Sequence, residues 1–197
     1  HDGMRRVSID GLDPSPPKRH YLMLNKPRGL VTTARDERGR DTVYRCLDGA
    51  GLPWLAPVGR LDKASEGLLL FSNDPQWAAA ILDPASGPDK TYHVQVDRLP
   101  DEALLSALRH GAGDGDEWLR AKSVVPLRSG ERNAWLEIVL DEGRNRQIRR
   151  LLEAFDVGVL RLVRVAIGGV PLGTLGKGQW RALDASDLGR LFNTGGD

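Results

Sequence analysis

The sequence predicts an α+β fold in which helices flank a mixed, largely antiparallel central sheet. Many short strand-like segments are interrupted by a few helix-like ones, without the steady strand–helix order of a parallel α/β sheet. The 197 residues are 40% hydrophobic and 28% charged, which is ordinary for a globular protein and enough for a real core. No internal repeat or low-complexity tract interrupts the chain.

The first half of the chain predicts three strands and a helix after a Pro-rich tail at residues 1–19, whose first residues we interpret as a cloning remnant. "HYLMLNKP" predicts a strand, and the polar, basic "TTARDERGRDTVYRCL" a loop that leads into a short helix. "LAPVGRLD" predicts a second strand that stops near Asp62, and "GLLLFSN" a third, buried one. In "NDPQWAAAILD", Asn73 or Asp74 can cap a helix, and Pro75 fits its first turn.

The second half follows a Pro- and Gly-containing connector at 83–89, where we expect a hinge between lobes. "KTYHVQVD" alternates as a half-buried strand, and "LPDEALLSALRHG" predicts a helix that Gly111 stops. "GAGDGDEW" is rich in turn residues, and "RAKSVVPLR" and "NAWLEIVLDEG" predict strands. "RQIRRLLEAFD" is the clearest amphipathic helix, "GVLRLVRVAIGGV" predicts a strand and "DASDLGRLFN" a closing helix.

The composition limits the classes of protein that this chain can represent. Cys46 is the only cysteine, so an internal disulfide is excluded, which fits a reducing compartment. The four histidines are scattered without the spacing of metal ligands. No apolar run is long enough to span a bilayer, and no charged-then-apolar leader opens the sequence. We therefore expect a cytoplasmic protein without membrane association.

The charge is distributed unevenly although the net charge is only +1. Residues 18–40 contain seven Lys or Arg against two acidic residues, and residues 144–164 contain six arginines against two acidic residues. Two basic islands on a near-neutral chain suggest a face that binds a polyanion. Each island could equally be an ordinary solvated surface.

Asp62 in "GRLDKASEGLLLFSND" is the first candidate for chemistry. It follows a strand-like segment and lies between Arg60 and Lys63, with no histidine or second carboxylate at hydrolase spacing. Basic neighbours favour the ionised carboxylate, which suits a nucleophile or an electrostatic group better than a general acid. By spacing alone, a turn aspartate explains the residue as well.

Tyr92 and Lys26 have weaker local signals. On the alternating strand, Tyr92 shares a face with Val94 and Val96, so it is either a core aromatic or a platform whose hydroxyl can move a proton. Lys26 of "NKPRGLVT" follows a strand, where a lysine is most often simply exposed.

The segment "DEGRNRQIRRLL" places several arginines at and before the N-terminus of a helix. Cations are unfavourable there because the N-terminal end of a helix carries partial positive charge. Arginines at this unfavourable position therefore suggest a function for them, namely binding a phosphate backbone or a buried carboxylate. The alternative is a solvated helix face.

Five segments together resemble, in order and spacing, the bacterial pseudouridine synthases of the ribosomal branch, often called the RsuA family. They are "LNKPRGL", "GRLDKASEGLLLFSND", "KTYHVQV", "EGRNRQIRRLL" and "LVRVAIGGVPLGTLGKGQWRAL". The resemblance covers roughly residues 20–184, and "GRLD" and "GRNRQIRR" are its most specific parts.

The resemblance implies one catalytic domain over residues 20–197, with two lobes of a mixed sheet and a cleft between them. It implies isomerisation of uridine to pseudouridine within RNA, without cofactor or metal. Asp62 matches the essential aspartate, Tyr92 the tyrosine that packs against the target base, and Arg149 the basic residue that pairs with the aspartate. The remaining matched positions, which we assign to substrate binding and cleft support, are Lys26, Arg60, Arg144, Asn145, Arg146, Gln147 and Arg150.

This chemistry is compatible with the composition. Breaking the bond from ribose to the base nitrogen, rotating the base and re-bonding through a ring carbon needs a carboxylate rather than activated water. Water must be excluded, because hydrolysis of the loosened base would leave an abasic site. The uridine must also leave its stack, for which an aromatic surface and an arginine-rich rim are suited. The sequence leaves open whether Asp62 attacks the base or the sugar; in the second route Tyr92 is a candidate proton acceptor.

Many members of the family have a small N-terminal RNA-binding domain, for which residues 1–19 are too few. We expect either a short member, similar to the large-subunit synthase designated E, or a trimmed chain. The branch implies ribosomal RNA, and the short N-terminus favours the large subunit; we also expect a monomer. The alternative is a non-catalytic RNA-binding or ribosome-assembly protein on the same scaffold. A carboxylate–metal nuclease would need a clustered set of acidic residues, which the sequence lacks.

Overall fold

A mixed nine-stranded sheet runs through the part of the chain that the computed structural model describes, residues 17–33, 41–144 and 146–192. The strands are β1 (Tyr21–Lys26), β2 (Ala56–Val58), β3 (Glu66–Ser72), β4 (Lys90–Val96), β5 (Ala112–Asp114), β6 (Glu117–Leu119), β7 (Ser123–Ser129), β8 (Ala134–Leu140), β9 (Val159–Ile167), β10 (Val170–Pro171) and β11 (Trp180–Ala182). The helices are α1 (Pro75–Leu82), α2 (Glu102–His110), α3 (Gln147–Glu153) and α4 (Ala185–Arg190), with a 3-10 helix at Val43–Leu47.

The strand order is β11-β1-β3-β9-β4-β8-β7, with β2 beside β3 and β10 beside β9. All described pairs within this sheet are antiparallel except β3 with β9, which run parallel and match at Glu66 with Val163 and at Gly67 with Arg164. The prediction of a mixed, largely antiparallel sheet in an α+β fold is thus confirmed. The β3–β9 pair joins the two halves of the sheet.

Capping residues start and stop the helices where the sequence predicts. The Asp74 side chain accepts a hydrogen bond from the backbone N–H of Trp77, three residues on, and Pro75 occupies the first position of α1. At the end of α2, Gly111 adopts φ 101° and its N–H bonds to the carbonyl of Ala107. These local signals place both helices without tertiary information.

Two apolar cores lie on opposite sides of β3, which explains its continuous apolar run. Leu69 and Phe71 belong to the larger core, which contains Tyr92 and the apolar faces of α2 and α3. Leu68 and Leu70 belong to the smaller core, which includes residues of α1, β10 and α4. All seven residues of β3 are buried, and its central positions 68–71 are apolar because the strand is covered on both faces.

Three details differ from the sequence prediction. β2 ends at Val58 and not near Asp62, because Gly59 adopts φ 84° and turns the chain into a loop. The turn-rich "GAGDGDEW" contains the two-stranded hairpin β5–β6, which is too short to give a clear alternation. β10 and β11 have two and three residues and were missed for the same reason.

The connector at 83–89 links α1 to β4, and its role as a hinge remains a prediction. Among the described residues, no helix has the length and apolar character required to cross a membrane.

Candidate active site

Asp62 lies in the loop between β2 and β3, in a tight turn closed by Ser65. The Ser65 backbone N–H bonds to the Asp62 carbonyl at 2.9 Å, and the Ser65 hydroxyl donates to Oδ1 of the Asp62 carboxylate. Lys63 lies at the corner of the turn, where its carbonyl accepts from the Gly29 N–H at 2.8 Å. Hydrogen bonds within the turn therefore fix the Asp62 carboxylate. The bond between Gly29 and Lys63 attaches the turn to the segment after β1.

Lys26 binds the backbone of this turn from the protein interior. Its side chain is fully buried, and its Nζ donates to the carbonyls of Ser65 at 2.6 Å, Pro27 at 3.0 Å and Lys63 at 3.2 Å. Burial lowers the pKa of Lys26 to about 8, although the charges of Asp62 and Glu66 oppose this shift. The expectation that Lys26 is exposed is therefore wrong, because its ammonium is buried against these carbonyls. Its assignment to substrate binding and cleft support stays a prediction, of which these contacts favour the second part.

Two arginines from the start of α3 reach the same oxygen of Asp62. Nη1 of Arg146 lies 2.7 Å from Oδ2 and Nε of Arg149 lies 3.1 Å from it, while Nη2 of Arg149 donates to the Ser65 hydroxyl at 3.1 Å. The Arg149 side chain is 16% exposed and that of Arg146 is 51% exposed. Arg149 is the enclosed partner, as the resemblance implies, and Arg146 is a second partner that we had assigned to the substrate.

The electrostatics of the turn keep Asp62 ionised. Burial alone would raise the pKa of its carboxyl, but the hydrogen bond from Ser65 and the charges of Arg149 and Arg146 outweigh it and lower the pKa below its ordinary value. Asp62 is therefore a carboxylate at neutral pH. It is suited to a nucleophilic or electrostatic role and unsuited to donating a proton.

Arg146 reaches Asp62 from an unusual backbone conformation. It is the N-cap residue of α3 with φ 50° and ψ 37°, in the left-handed region that non-glycine residues seldom occupy, and its side chain does not cap the helix. No acidic residue occupies the first turn of α3. The strain and the missing cap both favour a functional use of this helix end.

The other assigned residues of this segment lie in different surroundings. Arg144 and Arg150 form ion pairs with Glu117 of β6, at 2.8 Å and 2.6 Å. Gln147 is buried, and its amide nitrogen donates to the carbonyl of Arg120 and to Glu142. Gln147 and Arg150 thus anchor α3 to neighbouring segments. Asn145 lies outside the described residues.

Asp62 and Tyr92 line one cleft of about 940 Å³ between the two halves of the sheet. Tyr92 projects from β4 on the buried face together with Val94 and Val96, as its alternation predicts. The described charged residues that line the cleft are Arg60, Lys90, Arg144, Arg146, Arg149 and Arg164 against Asp62 and Glu142. The excess of cations makes the cleft suited to a polyanion.

Sequence reasoning missed three residues of this cleft. Ser65 could have been found as a hydroxyl three residues after Asp62, a spacing typical of turns. Arg164 of β9 is buried and donates to the Leu68 carbonyl at 2.8 Å, and Lys90 has a lowered pKa because of burial and the nearby Arg164 charge. Nothing local marks these two, because only the pairing of β9 with β3 and β4 brings them to the cleft.

Comparison with known proteins assigns the chain to a family. Residues 20–154 match the sequence model of RNA pseudouridylate synthases. The chain belongs to this family. An uncharacterized RNA pseudouridine synthase of Aquifex aeolicus is 35% identical over 192 residues, covering 96% of this chain and 76% of that protein. The ribosomal large subunit pseudouridine synthase E of Xanthomonas campestris pv. campestris is 40% identical over 181 residues, covering 83% of this chain and 95% of that protein.

The fold of this synthase agrees with that of a solved relative. A crystal structure of a pseudouridylate synthase superimposes with a TM-score of 0.77 at 31% identity, over 88% of this chain and 74% of that one. The family resemblance noted from the five segments is thereby confirmed. In residues 17–33, 41–144 and 146–192, no three His, Cys, Asp or Glu side chains form a group able to hold a metal ion.

Proposed function

We propose that this RNA pseudouridine synthase uses Asp62 as its catalytic carboxylate and modifies ribosomal RNA of the large subunit. The observation that carries the proposal is the surroundings of Asp62. Its carboxylate receives hydrogen bonds from Ser65, Arg146 and Arg149, in a cleft that also contains Tyr92. Such an arrangement keeps a desolvated carboxylate charged and fixed in position.

The reaction breaks the bond between ribose and the base nitrogen and the C–H bond of a ring carbon. It forms a bond between ribose and that carbon and an N–H bond at the freed nitrogen, so no atom is gained or lost. Asp62 acts at the base or at the sugar to loosen the first bond. In the sugar route, Tyr92, which lines the same cleft, would accept a ribose proton and return it when the new bond forms. Arg149 keeps Asp62 ionised before it reacts, because it is held against both Asp62 and Ser65.

Substrate access follows from the shape and charge of the cleft. A uridine inside a folded RNA must leave its stack to reach Asp62, and an aromatic side chain such as Tyr92 can pack against the extruded base. Arg60 and Arg146 line the cleft and are exposed, so they can contact the flanking phosphates. Arg144 can join them if RNA competes with its ion pair to Glu117.

The large-subunit target is supported by the likeness to the synthase E named above, which this chain matches over most of the length of both proteins. A monomer without a metal or cofactor, acting in the cytoplasm on free or assembling ribosomal RNA, completes the proposal.

The substitution Asp62→Asn tests the catalytic role, because it removes the charge and keeps the shape. We expect pseudouridine formation to fall by roughly a thousandfold or more while RNA binding is retained. The measurement is chemical mapping of pseudouridine in transcribed large-subunit RNA after incubation with enzyme. Asp48→Asn, at a site away from the cleft lining, is the matched control.

Two results would contradict the proposal separately. Conversion by Asp62→Asn at the wild-type rate would exclude Asp62 as the catalytic carboxylate. Wild-type enzyme that modifies small-subunit RNA and leaves large-subunit RNA unchanged would exclude the proposed target.

A further inference from the structure

The side of the sheet opposite Tyr92 carries an aligned row of polar and aromatic residues. Four strands contribute one residue each at matching positions: Arg128 of β7 faces Trp135 of β8, Trp135 faces Gln95 of β4, and Gln95 faces Arg161 of β9. Residues paired in this way lie on the same face of a sheet. Burial alternates along β4 and β8, and the members of the row on these strands belong to the partly exposed set. We call this side the back face.

Trp135 is held between the two arginines of the row. The guanidinium carbon of Arg128 lies 4.9 Å from the centroid of the Trp135 ring, and that of Arg161 lies 5.6 Å from it. These cation–π contacts restrain both guanidinium groups. Arg161 also donates from Nε and Nη2 to Glu66, so Nη1 is the part of its guanidinium left for another partner.

The row continues into a cluster of cations around Glu66 of β3. The Glu66 carboxylate accepts two hydrogen bonds from Arg161, at 2.8 Å and 3.1 Å, and one from Lys177, with Arg28 at 3.9 Å. The Glu66 side chain is 4% exposed, whereas those of Arg28, Arg161 and Lys177 are 51%, 40% and 50% exposed. One buried anion thus organises three accessible cations, which leaves a net positive charge at the surface.

This cluster adjoins the catalytic turn. Glu66 follows Asp62 by four residues, and Arg28 precedes Gly29, whose N–H binds the turn at the Lys63 carbonyl. Lys63, within the turn, is itself exposed. The cations around Glu66 are therefore joined to the turn that carries Asp62 by four residues of sequence and by the hydrogen bond from Gly29 to Lys63.

We propose that Arg28, Lys177, Arg161, Trp135 and Arg128 form a basic strip that binds the RNA strand flanking the target uridine, on the side of the sheet opposite the cleft. The proposal rests on the RNA-modifying function and extends it to a second contact surface. From Arg161 to Arg128 the strip crosses three strand spacings, about 14 Å, so it serves RNA that extends beyond the cleft.

The chemistry of the strip favours RNA over a protein. Its exposed groups are guanidinium and ammonium donors at regular positions beside an aromatic ring, which suit phosphates and base edges. The carboxylates near it are engaged: Glu66 is buried among cations, and Glu137 lies 3.1 Å from Nε2 of His93. A protein-binding face would be expected to present a larger apolar centre.

RNA length provides the test. The double variant Arg128→Gln/Lys177→Gln removes one charge from each end of the strip and preserves the bidentate Arg161–Glu66 pair. We would measure fluorescence anisotropy with labelled single-stranded RNAs of about 8 nucleotides, which fill only the cleft, and about 30 nucleotides, which reach the strip. The control Arg45→Gln/Arg98→Gln removes the same number of charges from exposed residues outside the strip, the cleft and the two basic islands.

We expect the double variant to bind the long RNA roughly tenfold more weakly at low salt and the short RNA as the wild type does. The slope of log affinity against log salt for the long RNA should become shallower by about 1.4, because each phosphate contact on a single strand contributes about 0.7. The control should leave both values unchanged. If the double variant does not fold, Arg128→Gln alone replaces it, because Arg128 lies at the edge of the sheet. The expected change in the slope is then about half as large.

Three results would overturn the proposal. Wild-type affinity of the variants for the long RNA would show that the strip does not bind it. Equal weakening for both RNAs would place the cations in the cleft contact. Unchanged RNA binding with an altered sedimentation coefficient would make the back face an interface between copies of the chain. This experiment measures RNA binding only. An error in the catalytic role proposed for Asp62 would therefore appear in the pseudouridine assay and would not affect these affinities.

Discussion

At Asp62, two arginines that share one carboxylate oxygen differ in how firmly they are held. Arg149 is largely buried and bonds to both Asp62 and Ser65, so its guanidinium is fixed before substrate arrives. Arg146 is half exposed and bonds to Asp62 alone among the described contacts. Arg149 is therefore suited to maintaining the charge state of Asp62, and Arg146 to exchanging Asp62 for an RNA phosphate.

This difference predicts separate kinetic effects. Arg149→Gln should lower kcat roughly a hundredfold. It should also raise the pKa of Asp62, because a positive charge beside the carboxylate is lost, and so move the acidic limb of the pH–rate profile to higher pH. Arg146→Gln should mainly raise KM. The measurement is kcat and KM from pH 4 to 9, with Arg45→Gln as control. Identical profiles for the two variants would contradict the division of roles.

The sequence was sufficient to place a single residue in the site where a long motif contains several functional residues in a fixed order. The "GRLD" and "RNRQIRR" segments placed Asp62 and Arg149 correctly in one cleft. Lys26 was misjudged because its burial depends on three carbonyls brought together by the turn. Arg164 was missed because a strand arginine gives no local sign of which cleft it lines.

At the scale of elements, the parallel pair β3–β9 depends on a glycine. Gly67 has φ 105°, and a Cβ atom there would lie 2.2 Å from the carbonyl oxygen and 2.7 Å from the nitrogen of Arg164. Both are backbone atoms of the adjacent strand and cannot rotate away. The junction that brings the Asp62 turn next to the Tyr92 half of the sheet therefore requires glycine at this position.

Gly67→Ala should lower the free energy of unfolding by about 2–4 kcal/mol through strain and displacement of β9. Urea unfolding monitored by circular dichroism would measure it. Gly189→Ala in α4 is the matched control, since nothing lies within 4 Å of its added Cβ and alanine favours a helix. Similar midpoints for the two variants would be inconsistent with a tight β3–β9 contact.

Elements with strong local signals were predictable, and those defined by pairing were not. Capped helices such as α1 and alternating strands such as β4 and β8 appear where expected. Strand order and the single parallel pair were not deducible, because they depend on contacts between residues about a hundred positions apart, as for Gly67 and Arg164.

For the whole molecule, Glu66 links stability to pH. Burial would raise its pKa, but the hydrogen bonds and charges of Arg161 and Lys177 prevail and lower it from 4.5 to about 2. Because the folded-state pKa lies below the unfolded one, the stabilisation is fully present above about pH 4.5 and is lost as the pH falls toward 2.

Glu66→Gln should therefore be less stable than the wild type at pH 7, by about 1–3 kcal/mol, and most of this difference should be lost near pH 2, where about half of the wild-type carboxyls are protonated. Urea midpoints measured across this range provide the comparison, with Glu131→Gln in an exposed turn as control. A stability difference that stays constant from pH 7 to pH 2 would exclude this role of the Glu66 charge.

The placement of β11 beside β1 has a consequence for synthesis on the ribosome. Leu22 pairs with Ala182, so β1 lacks one neighbour until β11 has been made. β3 likewise waits for β9. Nascent chains should therefore expose hydrogen-bonding strand edges while the residues between the paired strands are synthesised, which makes them prone to aggregation if translation stalls in that interval.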